Sequence, residues 1–92
     1  MLRFTWDPEK AAANLRKHGV GFPEAVTAFG DPLAISIPDP EHSVAEKRWL
    51  LLGTSSAGRI LVVAHTDRRD EIRMISARLA TKRERRSYEE IG

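Results

Sequence analysis

Ninety-two residues without a cysteine, 41% hydrophobic and 30% charged, are enough for one domain with a modest core, and they exclude disulfides, thiol catalysis and thiolate metal sites. The formal net charge is only +2, yet it is unevenly placed: residues 59–86 carry nine basic and four acidic side chains, a local +5, against −3 for the remainder. Arg outnumbers Lys eleven to four, which favours planar, bidentate phosphate contacts over diffuse attraction.

Phe4 and Trp6 alternate with Arg3 and Thr5, so residues 3–6 predict a short strand with one apolar face. Asp7-Pro8-Glu9 is a helix start, with Asp as N-cap, Pro at the first helical position and an acid in the first turn. The helix runs to His18, and Gly19 supplies the left-handed exit. Ala11, Leu15 and His18 fall on one face, which puts His18 at the edge of the core in a structural role. Residues 21–29 predict a second helix, with Pro23 and Glu24 in the first turn and Phe22, Val26 and Phe29 on one side. Leu33, Ile35 and Ile37 alternate with small or polar residues as a strand does, and prolines at 38 and 40 make residues 38–43 a loop.

Residues 46–53 read as a strand whose run Trp49-Leu50-Leu51-Leu52 predicts cover on both faces. Residues 54–58 form a hairpin connection to the next strand, 59–66, which is apolar from Ile60 to Ala64. Residues 67–70 then turn the chain into a last strand ending near Arg78. Three consecutive strands with short connections predict an antiparallel meander. The expected fold is α+β, a single domain over 1–92, with N-terminal helices packed on a small antiparallel sheet and a helix at the C-terminus. Strands apolar on both sides need two covers. The last helix offers only Tyr88 and Ile91 as large apolar residues in its body, so the second face is expected to be a half-open groove or to be finished by a partner chain.

That last helix opens with a capping box, Thr81 and Glu84. Lys82, Arg83, Arg85 and Arg86 crowd its first turns, where the positive end of the helix dipole disfavours cations. An anion bound there would explain them; the plain alternative is a solvated charged face.

His18, His42 and His65 have no metal-ligand spacing, so neither a metal nor a cofactor is expected. No Gly-rich phosphate loop and no G-x-S-x-G element is present. What remains is a set of polar side chains at strand ends: Glu46 and Arg48 on one face of their strand, His65 at the end of the next, and Arg73 and Arg78 bracketing the last. If these ends converge, they supply what metal-free RNA cleavage requires. Glu46 or His65 would take the 2′-hydroxyl proton, and Arg48, Arg73 and Arg78 would hold the phosphate. Arg59, Arg68, Arg69, Lys82, Arg83 and Arg85 would extend the RNA-binding surface. The structural alternative pairs Glu46 and Arg48 with cross-strand neighbours and leaves His65 half buried.

Several blocks together resemble the BrnT family of toxins: Phe4-x-Trp6-Asp7-Pro8-x-Lys10, Asn14-x-x-Lys17-His18-Gly19-Val20, Phe22-x-Glu24-Ala25, Phe29-x-Asp31-Pro32, residues 39–46 with His42-Ser43, Arg48, Gly53, and Ile75-Ser76-Ala77-Arg78 followed by Thr81-x-x-Glu84 and Tyr88. The resemblance covers nearly the whole chain. It implies a type II toxin with a fold similar to the RelE ribonucleases, cleaving RNA without a metal. It also implies a cognate BrnA-type antitoxin with a ribbon-helix-helix part, DNA being touched only through that complex. Such an antitoxin is a candidate for the missing second cover. A cytoplasmic location is expected, with no signal peptide and no membrane contact. The competing expectation is a non-catalytic basic module that engages an antitoxin or nucleic acid. Direct action on DNA is weaker, because the chain has no helix-turn-helix or ribbon signature of its own.

Overall fold

The computed structural model describes residues 2–39, 41 and 46–91. In chain order the elements are β1 (Arg3–Thr5), α1 (Pro8–His18), α2 (Phe22–Ala28), β2 (Ile35–Pro38), β3 (Arg48–Thr54), β4 (Ile60–Arg68), β5 (Glu71–Leu79) and α3 (Lys82–Ile91). Local chemistry accounts for the helix ends. The Asp7 carboxylate accepts from the Glu9 amide at 2.9 Å, and Gly19 leaves α1 at φ +68°, its amide donating to the Leu15 carbonyl. At α3 both halves of the capping box form, Glu84 accepting from the Thr81 amide at 2.9 Å and Thr81 accepting from the Glu84 amide at 3.1 Å.

The five strands form one sheet in the order β1-β5-β4-β3-β2. The meander over β3 to β5 is antiparallel, as expected, and β2 extends it antiparallel, but the sheet as a whole is mixed: β1 lies parallel to β5, with Arg3, Phe4 and Thr5 opposite Glu71, Ile72 and Arg73. A three-residue strand carries no pattern that names its neighbour, and here it joins the edge that the meander leaves open beside β5. Pro38 is the last residue of β2 rather than loop, tolerated because β2 is the other edge. Pro40, His42 and Ser43 of the expected loop lie outside the described residues.

One face of the sheet is packed under α1 and α2. Val20, Phe22, Ala25, Ala28, Leu51, Leu61, Val63, Ile72, Met74 and Ala77 form that core. Trp6 meets Phe22 edge to face at 5.8 Å, and Phe4 meets Phe29 at 5.0 Å, so β1 is fixed to the helices as well as to β5.

The inward face of α1 differs from the expected one. Leu15 is 53% exposed, and the buried position is Asn14. Its amide nitrogen donates to the Val20 and Ala77 carbonyls at 2.9 and 2.8 Å, and its oxygen accepts from the Ala77 amide at 3.0 Å. Beyond the three residues paired with β1, the outer edge of β5 still needs partners, and one side chain supplies both.

The other face is covered at one end by α3. Tyr88 is the anchor: its hydroxyl donates to the Asp31 carboxylate and accepts from Thr54 at 3.0 Å, while the Thr54 amide donates to the same Asp31 oxygen at 2.8 Å. Between α3 and the sheet remains an apolar groove lined by Ile35, Ile37, Leu50, Leu52, Val62 and Ile91, with Ile37 and Ile91 well exposed. The half-open second face is therefore present.

Candidate active site

Strand register decides which polar side chains meet. Thr5, Arg73, Thr66 and Arg48 are successive partners across β1, β5, β4 and β3, so they form one row across the open face, past the end of the α3 cover. Neighbouring strands lie about 4.8 Å apart, which leaves Thr66 flanked by an arginine on either side. One row nearer the β4–β5 turn stand Arg3, Glu71 and Arg68. Arg68 grips Glu46 through two contacts, Nε to Oε2 at 2.6 Å and Nη2 to Oε1 at 2.9 Å. This pair holds the Glu46 carboxyl below the usual range, with smaller contributions in the same direction from Thr66 and Arg73. Glu46, Arg48, Arg68 and Arg73 are thus brought to one end of one face.

Two hydroxyls in that row stand out. The oxygens of Thr5 and Thr66 are shielded from solvent and complete no hydrogen bond. Thr66 is 6% exposed, and its hydroxyl is near enough to the Glu46 carboxyl to help lower it, although the two do not complete a well-formed hydrogen bond. Neither threonine was among the expected site residues. A parity count along β4, anchored on a known register, would have found Thr66.

His65 is placed elsewhere. It pairs with Trp49 and Met74, on the helix side of the sheet, and is 3% exposed. Its ring meets Phe29 edge-on at 4.9 Å, and Nδ1 lies 2.7 Å from the Asp67 carboxylate. The polypeptide of β4 separates it from the arginine row.

Arg78 is on the open face but opposite Val62, at the α3 end. Its guanidinium binds Glu84 through Nη1 at 2.7 Å and Nη2 at 2.9 Å. Glu84 is held down to about 2, first by Arg78 and then by the Thr81 amide. At the start of α3 the chain's own carboxylate thus takes up the Thr81 amide and the Arg78 guanidinium. Arg59 is likewise engaged, by Glu24 and the Gly19 carbonyl, and Glu24 also accepts from Ser55 at 2.7 Å. Lys82 and Arg85 share a shallow depression with Arg59 at the β3–β4 turn, and Arg83 is exposed on α3. Arg68 and Arg69 lie at the opposite turn, about 26 Å away along the eight steps of β4. The basic side chains thus form two groups at opposite ends of the sheet rather than one pocket.

The comparisons bear on what this face is for. The family model described as "Ribonuclease toxin, BrnT, of type II toxin-antitoxin system" matches residues 6–84. The chain belongs to the BrnT family. Among solved structures, the crystal structure of the Brucella abortus ribonuclease toxin BrnT superposes with a TM-score of 0.70 at 22% identity, covering 89% of this chain and 100% of that one. That likeness is one of fold, the α+β arrangement of three helices and a five-stranded mixed sheet. No curated protein matches the chain. Membership in a BrnT toxin family of type II systems implies an antitoxin partner. Among the described residues no helix is long and apolar enough to cross a membrane.

Proposed function

We propose that this BrnT chain is a metal-independent endoribonuclease of the RelE-like kind, held inactive by a BrnA-type ribbon-helix-helix antitoxin, and that its RNA site is the arginine row of the open face. The observation that carries the reading is the register of Arg48, Thr66 and Arg73, with Glu46 beside them. Arg48 and Arg73 sit one strand to either side of Thr66 and suit the equatorial oxygens of a phosphorane. Glu46, ionised at neutral pH, takes the proton of the 2′-hydroxyl. The 2′-oxygen attacks phosphorus, the bond to the 5′-oxygen breaks, and that oxygen takes a proton from water. The products are a 2′,3′-cyclic phosphate and a 5′-hydroxyl end. Arg68 keeps Glu46 in place, and Arg69 extends the cationic surface. Arg78 joins β5 to α3, and His65 supports β4 from the helix side. The apolar groove beside α3 supports a protein partner covering that end.

A second reading has its own observation. Arg59, Arg68 and Arg78 are each neutralised by a carboxylate of the same chain, as a framework of ion pairs in a non-catalytic binding module would be. Induction in a growing culture separates the two. The ribonuclease arrests growth with falling RNA integrity, and the purified chain cleaves RNA in excess EDTA. Arrest with intact RNA, or cleavage abolished by EDTA, refutes the corresponding part of the proposal. Co-purification with the product of the neighbouring gene tests the antitoxin.

A further inference from the structure

A threonine in a strand can be replaced by valine at nearly the same shape and β-propensity, and where the hydroxyl is buried without a partner the valine is the better core residue. The chain nevertheless keeps two such hydroxyls, at Thr5 and Thr66, and both fall in the four-residue row that contains Arg48 and Arg73. Other polar side chains that hold the fold together are satisfied in a definite way: Asn14 three times over, Asp31 by three donors, Glu46 by two. Among the described residues the buried hydroxyls left over thus both fall in the row with the cations, and His65 Nε2 lies on the other side of β4.

We propose that the Thr66 hydroxyl, with Thr5 in a lesser part, is a donor to a non-bridging oxygen of the RNA phosphodiester. Thr66 is the central donor between the two guanidinium groups, and Thr5 stands at the outer end of the row beyond Arg73. A guanidinium on a long side chain adapts to many anion positions. A hydroxyl on a β-branched residue in a strand does not, since its χ1 is stiff and its backbone is paired on both sides. Thr66 thus fixes where the phosphate sits, and the arginines supply the charge. This inference rests on the open-face reading above and adds the positioning group to it.

The test uses the purified full chain, a mixed-sequence RNA oligonucleotide, and the 2′-deoxy oligonucleotide of the same sequence, which binds without a nucleophile. Thr66→Val is expected to keep or raise the melting midpoint while cleavage and affinity for the deoxy probe fall about ten- to a hundredfold, the range for a hydrogen bond to a charged group. Thr66→Ser, which retains the donor, is expected to recover most of both, and Thr5→Val to lose less than Thr66→Val. Cleavage and binding by Thr66→Val equal to the parent's overturn the inference and leave the ribonuclease reading standing. A parent that binds the probe without cleaving RNA overturns the ribonuclease reading, and weaker binding by Thr66→Val then still upholds the hydroxyl. Binding by neither protein overturns both. If Thr66→Val folds poorly, Thr5→Val at the edge strand decides in its place, a loss upholding the row of hydroxyls and parental behaviour overturning it.

Discussion

The two faces of one sheet are built to different rules. On the helix side β4 and β5 bury Leu61, Val63 and Met74 under α2, and even the polar His65 is closed in against Phe29. On the open side the same strands present Thr66, Arg73 and Arg78, half covered by α3 at one end and with Thr66 buried beside Arg73 at the other. Adjacent residues 65 and 66 therefore face different surroundings. Alternation along a strand lets a ninety-two-residue chain carry a core and a cationic face on the same backbone.

The sharpest way to break this division is to exchange the effects of its two sides. Arg73→Ala is expected to lower RNA cleavage by roughly a hundredfold or more, the cost of removing a donor from a developing oxyanion, with the melting midpoint little changed. His65→Ala is expected to do the reverse. It opens a cavity beside Phe29 and lowers stability by about 2–4 kcal/mol, with activity tracking the folded fraction. Calorimetry beside an RNA cleavage assay decides; a stable, fully folded His65→Ala protein without activity would put the histidine back into the chemistry.

On the packed side alone, Asn14→Leu is expected to destabilise by about 2–4 kcal/mol, because the amide and carbonyl of Ala77 lose their partner while staying buried. Leu15→Ala, one residue along and solvent-exposed, is expected to cost under about 0.5 kcal/mol. Chemical denaturation of both variants checks the contrast, and equal losses would mean that the inward face of α1 is centred on Leu15 after all.

These same residues explain how far the sequence could be read. The limits of α1 and the start of α3 were legible because caps are local: Asp7, Pro8, Gly19, Thr81 and Glu84 act within a few residues of themselves. Asn14 was not, since its value lies in a bond to Ala77, 63 residues away. Candidates at the strand ends were legible as a class, but their faces were not. Residues 61–66 of β4 are all buried, so no polar alternation announces which side is which. β5 adds a register shift, Ala64 facing Ser76 while His65 faces Met74, so that Ile75 is an extra residue that separates Arg73 from Arg78. The capping-box glutamate was visible as a cap, but its second task as the counter-ion of Arg78 was not, since that pairing crosses from α3 to β5.

Acid titration probes the ion pair at the α3 end of the open face. Glu84 is held at about 2 against a free value of 4.5, so its contribution is complete above pH 4.5 and is lost as pH falls toward 2. Discounted for its partial exposure, that is about 1–2 kcal/mol. Asp31, lowered chiefly by the Tyr88 hydroxyl and then by the Thr54 amide, acts in the same direction and fastens the same helix. Glu84→Gln is expected to lower the midpoint at pH 7 and to flatten its decline between pH 4.5 and 2. An unchanged pH profile would mean that Arg78 and Glu84 are not a stabilising pair.

The smallest expected effect lies at the tip of the β4–β5 turn. Arg69 sits at φ +50°, a region that costs a side-chain-bearing residue about 1 kcal/mol and that glycine occupies freely. Arg69→Gly relieves that strain but frees the unfolded chain as well, so the net gain is about 0.5 kcal/mol, or roughly 2–4 °C in midpoint for a domain of this size. If Arg69 meets an RNA phosphate, the more stable variant binds RNA less tightly, and the dependence of log affinity on log salt becomes shallower by about 0.7, the value for one single-stranded phosphate. A stabilised variant with an unchanged salt slope would confine RNA to the Arg48–Arg73 row and leave the turn as surface.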